Sequence, residues 1–79
     1  MQRIDDGKPL REAMRRAGMS AKQLAEATRR IDPEHQGVSR AYIGHLSRSG
    51  SSARQTCGRE TAELIAQALG VDVRELFIE

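Results

Sequence analysis

Apolar residues recur along this chain at helical spacing. Leu10, Ala13, Met14 and Ala17 fall at i, i+3, i+4 and i+7, the stripe that one face of an amphipathic helix requires. Pro9 suits the first turn of that helix, and Gly18 stops it after about ten residues, since glycine enters the left-handed region without steric cost. Ser20 and Gln23 form a capping box for a second helix with Ala21, Leu24, Ala25 and Thr28 turned inward. Asp32-Pro33 predicts its end near Arg30 or Ile31, because proline disfavours helical geometry in the residue before it. Ser39 caps a third helix with Ile43 and Leu46 inward, and Val38 and Ile43 are placed to staple its start. Ala62, Ile65, Ala66 and Leu69 mark a fourth helix, stopped by Gly70 with Val71 folding back on it. Asp72-Val73-Arg74-Glu75 is a second capping box and predicts a short fifth helix ending in Leu76 and Phe77. No stretch alternates with period two for long enough to predict a strand. Residues 1–8 are polar and aperiodic and read as a flexible arm before a single domain over residues 9–79.

Composition supports this reading. The 79 residues suffice for one small domain, and the only aromatics are Tyr42 and Phe77. So lean a core is built by helices packing Leu, Ile, Val, Met and Ala. No apolar run approaches a membrane span, and the start lacks the apolar centre of a signal peptide. The single cysteine, Cys57, forms no internal disulfide and fits a reducing compartment; the expected location is cytoplasmic.

Charge is distributed unevenly. The formal net charge is +2, yet residues 35–59 carry Arg40, Arg48, Arg54 and Arg59 with no acid, and residues 60–79 carry five acids against Arg74 alone. Eleven of the 13 bases are arginine, whose planar fork matches phosphates and base edges. Two neighbouring helices with a capped, outwardly polar second member suggest a helix-turn-helix, which lays that second helix in the major groove of DNA. On the third helix Arg40 is suited to guanine, Ala41 to a thymine methyl and His45 to a base edge, while Ser39 is suited to phosphate. Tyr42 either bonds a phosphate through its hydroxyl or lays its ring on the second helix. Arg48 and Arg54, in a Ser/Gly/Arg-rich loop over residues 47–58, are candidate phosphate contacts, and the loop is expected to be mobile until DNA orders it.

The segments Met19-Ser20-Ala21-Lys22-Gln23-Leu24-Ala25, Gly37-Val38-Ser39-Arg40-Ala41-Tyr42-Ile43 and Ala66-Gln67-Ala68-Leu69-Gly70-Val71 resemble the lambda-repressor-like, XRE-type helix-turn-helix family. The resemblance spans roughly residues 9–77 and implies an all-α, five-helix DNA-binding domain of a transcription regulator, such as a Cro-like phage repressor. It implies base readout by Arg40, Ala41 and His45, with Ser39 and Tyr42 beside them. Many members grip a phosphate with Gln after the second-helix cap. Here that position is Ala21, and Ser20 with Lys22 takes the supporting role. Both connections flanking the third helix are longer than in the family. The extra residues, about 29–36, are expected to lengthen the second helix or its turn, since Asp32 and Glu34 repel phosphate.

The expected partner is a double-stranded DNA operator, bound by two copies of a chain that is a monomer or a weak dimer in free solution. The rival reading is an antitoxin or other protein-interaction module of a toxin–antitoxin pair, whose acidic end, residues 60–79, meets a basic protein. Neither a cofactor nor a metal is expected, because His35, His45 and Cys57 lack the spacing of a ligand set. No enzyme is expected either, since no acid is placed to orient His45 toward Cys57 and no phosphate-binding Gly-rich loop occurs.

Overall fold

The caps predicted for the second and third helices are both present. In the computed structural model, which describes residues 1–50 and 52–79, Gln23 N–H donates to Ser20 Oγ at 3.2 Å and Ser20 N–H donates to Gln23 Oε1 at 2.9 Å. Tyr42 N–H donates to Ser39 Oγ at 3.1 Å. Among the described residues the chain forms helices α1 (Lys8–Ala17), α2 (Ala21–Ile31), α3 (Arg40–Ser47) and α4 (Arg59–Leu69), with strands β1 (Gln2–Arg3) and β2 (Phe77–Ile78). Helix α2 packs on both α3 and α4, and α1 closes the other side against α3 and α4. The core holds Leu10, Met14, Leu24, Ile43, Leu46, Ile65, Leu76 and Phe77, drawn from every helix and from the end of the chain. Val38 and Ile43 are both buried, as the staple requires. α1 and α4 end on Gly18 and Gly70, where Met19 N–H reaches Met14 O and Val71 N–H reaches Ala66 O.

Two expectations fail at the ends of the chain. The fifth helix is absent: the Asp72–Glu75 capping box forms, but it closes only a 3₁₀ turn over Val73–Glu75. Beyond Leu76 the chain extends into β2, which pairs antiparallel with β1 in the register Gln2↔Ile78 and Arg3↔Phe77. Burial of Phe77 decides between the two, because the extended chain carries its ring into the core, where it is fully buried. Residues 1–8 are not a loose arm. Gln2 and Arg3 belong to the sheet, Asp5–Gly7 form a 3₁₀ turn and Lys8 opens α1. Strands of two residues leave no period-two signal, so the pairing escaped the pattern.

The connection between α2 and α3 is ordered by two side chains. α2 runs to Ile31, so part of the additional length extends the helix. The Asp32 carboxylate then accepts the backbone N–H groups of Glu34 at 3.0 Å, Gln36 at 3.2 Å and Gly37 at 2.8 Å. Thr28, fully buried, accepts Val38 N–H at 2.9 Å and donates its hydroxyl to Ala25 O at 2.7 Å. These bonds turn the chain so that Ser39 arrives where α3 begins.

The N–H groups of Gly37 and Glu34, with lesser shares from the Gln36 N–H and the charge interaction with His35, hold the Asp32 carboxyl below the usual carboxylate range. A depressed folded value makes this contribution fully present above the unfolded pKa of about 3.9 and lost as pH falls through the folded value. The Gly37 amide resonance should therefore move only below about pH 4, while the Val38 amide, held by a hydroxyl, stays in place. A Gly37 titration centred at or above the ordinary carboxylate pKa contradicts this account.

Candidate nucleic-acid interface

Helix α3 buries Ile43 and Leu46 and turns Arg40, Ala41 and His45 to solvent. These are the three residues singled out for base readout; Ala41 and His45, four apart, share one helical face, and Arg40 lies about 100° round from Ala41 at the helix start. Gly44 lies between them, and a Cβ added there meets nothing within 4 Å. The face is thus low in the middle, with longer side chains at each end. Eight residues give α3 a length of about 12 Å, comparable to the width of the major groove.

The supporting residues fall in two places. Lys22 and Arg29 on α2 join Arg40 around a small groove of about 200 Å³, also lined by Ala25, Glu26, Gln36 and Val38. Arg29 was missed by sequence reading, which treated it as the start of an insertion. Its seven-residue spacing from Lys22, two helical turns, was the available signal. Glu26 is the acid among these bases. Ser20 is exposed at the start of α2, and its Oγ accepts the cap hydrogen bond from Gln23 N–H. Ser39 does the same for α3.

At the far end of α3, the loop before α4 is held down along its second half. Arg54 N–H donates to His45 O at 2.8 Å, Arg3 N–H to Gln55 O at 2.9 Å and Cys57 N–H to Met1 O at 2.9 Å. Thr56 bridges to Gln2. Residues 54–57 are thus tied to the start of the chain and to α3. Ser51 lies outside the described residues. Arg48 is exposed immediately after α3, and Arg54 lies over the Tyr42 ring with its guanidinium carbon 4.5 Å from the centroid. Tyr42 is half-buried and serves Arg54 with its face.

The strongest polar constellation was not foreseen. Arg3 is buried, with its side chain fully enclosed. Its Nε–H donates to Gln55 Oε1 at 3.1 Å, Nη1 to Leu46 O at 2.9 Å and to Arg48 O, and Nη2 to Asp6 Oδ1 at 2.7 Å. Arg11 Nη1 reaches Ser47 O at 2.7 Å. Two guanidinium groups thus receive the carbonyls at the C-terminus of α3, where the helix dipole favours cations. An arginine in a polar leader carries no sequence sign of burial.

Cys57 is buried, and desolvation pushes its thiol up from the ordinary value. No group of three or more His, Cys, Asp or Glu among the described residues is arranged to hold a metal. No described helix is long and apolar enough to cross a membrane. A separate groove between the α2–α3 connection and α4 is acidic, lined by Asp32, Glu34 and Glu60 around Leu64. Compared with known protein families, curated proteins and solved structures, the chain matches none.

Proposed function

We propose that this chain is a sequence-specific, double-stranded-DNA-binding transcriptional regulator of the helix-turn-helix type, acting as a repressor that occupies an operator and blocks promoter access. The observation that carries the reading is the outward face of α3: Arg40, Ala41 and His45 together, exposed, with no acid on the helix, and flanked by Lys22, Arg29 and Arg54. α3 enters the major groove with Arg40 on a guanine edge, Ala41 against a thymine methyl and His45 on the next accessible base edge. Lys22, Arg29, Arg48 and Arg54 meet the flanking phosphates, which fix register without reading sequence. The resemblance in the α2, α3 and α4 segments supports the same reading.

The test is a gel shift at controlled salt on the DNA upstream of the protein's own gene. Arg40→Ala should cost ~1–3 kcal/mol on the specific site and relax one base position. Equal weakening on specific and random DNA makes Arg40 a phosphate contact only, and no binding by the unmodified protein removes the reading. The acidic groove beside α4 favours the second reading, an antitoxin-like module that meets a basic protein. Stable co-purification with the product of an adjacent gene, together with no DNA shift, selects it.

A further inference from the structure

Two contacts bring Arg54 against α3 and a third fixes its side chain within the loop. Its backbone N–H donates to His45 O at 2.8 Å, its Nε–H donates to Thr56 O at 2.8 Å, and its guanidinium lies on the Tyr42 ring at 4.5 Å. Thr56 is itself bridged to Gln2, so the chain beyond the arginine is fixed as well. The side chain stays exposed, and its two terminal nitrogens make no hydrogen bond among the described residues. A guanidinium stacked by its face keeps its edge donors for an oxyanion. An unrestrained arginine loses rotamer freedom when it binds, and here that loss has already occurred in folding.

We propose that Tyr42 is a positioning residue, whose ring holds Arg54 beside the His45 end of α3 as a preset clamp for one backbone phosphate of duplex DNA. This rests on the DNA-binding reading and goes beyond it. It gives Tyr42 no phosphate of its own, makes its hydroxyl dispensable and turns the loop before α4 into a rigid part of the interface. Phosphate is the fitting ligand because the donors left over are a parallel pair on a planar fork. The flank of the reading face, one residue from His45 by a backbone bond, is where the sugar-phosphate strand runs when a helix lies in the groove.

The experiment measures binding to a random-sequence duplex of about two helical turns over a salt series, with Tyr42→Phe, Tyr42→Leu, Arg54→Ala and the Tyr42→Leu/Arg54→Ala double variant. Arg54→Ala should flatten the logarithmic salt slope by ~0.9, the share of one phosphate. Tyr42→Phe should bind like the unmodified protein. Tyr42→Leu should weaken binding about three- to tenfold when Arg54 is present, and should cost nothing further once Arg54 is gone. If Tyr42→Leu costs as much without Arg54, or if Tyr42→Phe matches Tyr42→Leu, the platform is overturned. In the free protein, the Arg54 δ-proton resonances should be shifted by the ring in the unmodified and Phe forms and not in the Leu form. Unshifted resonances overturn the platform and leave the proposed function standing. An unmodified protein that binds no duplex overturns both.

Discussion

Replacing Arg3 by methionine should lower the unfolding free energy by ~3 kcal/mol or more and loosen the end of α3 before any other part of the chain. Methionine keeps most of the stem volume and removes every donor. The buried Leu46 carbonyl and the part-buried Arg48 carbonyl then lose their partner, and a fully buried unsatisfied group costs ~1–3 kcal/mol. Asp6, half-exposed, and Gln55, exposed, return to water at little cost, so the loss comes from the carbonyls rather than from a stranded charge. A domain of this size is held by only ~4–12 kcal/mol in total, so the change takes a large share. Thermal unfolding gives the magnitude, and amide exchange at Leu46, Ser47 and Arg48 gives the location. Arg15→Ala, at an exposed position on α1, is the reference. A melting shift no larger than the reference would remove Arg3 from its capping role.

Gly37→Ala should be comparably damaging, for a steric reason. Gly37 sits at φ +64°, where an L-residue pays ~1–2 kcal/mol. A Cβ there would also lie 2.6 Å from Arg29 N and 2.7 Å from Arg29 Cα, both backbone atoms inside α2 that cannot swing away. Relief requires moving the α2–α3 connection, which breaks the Asp32 and Thr28 bonds to Gly37 and Val38. The expected loss is ~3 kcal/mol by the sum of strain and bonds. Gly44→Ala is the contrast. That position is helical with open space around it, so the substitution should gain ~0.5–1 kcal/mol. If Gly37→Ala and Gly44→Ala melt alike, the close approach of the connection to α2 is not as described.

These two cases show which kind of feature a sequence displays. The caps of α2 and α3, the glycine stops after α1 and α4, and the inward faces all rest on contacts within a few residues. They leave local marks: Ser20 with Gln23, Ser39 after Val38, Gly70 before Val71. The outward face of α3 was legible for the same reason, since burying Ile43 and Leu46 leaves Arg40, Ala41 and His45 outside. Arg3 depends on partners more than 40 residues away, and its polarity argued against burial. The Asp72–Glu75 box was read correctly as a cap and wrongly as the start of a helix, because Phe77 is drawn into a core that only the tertiary structure defines. Arg54 over Tyr42 joins a loop to a helix, and no spacing rule connects them.

The β1–β2 pairing also sets an order of events in time. Helices form from neighbours in sequence, and α2 can find α3 and α4 after closing short loops. Gln2 meets Ile78 only after nearly the whole chain has been looped, the costliest closure in the molecule and a late one in folding. Arg3 lies in that same pair, so the guanidinium that secures α3 is delivered with it. Until Phe77 and Ile78 pair with Gln2 and Arg3, the four helices can stand while the end of α3 lacks its fixed partner. Rigidity at the end of α3 thus depends on the contact that spans the longest stretch of sequence in the described fold.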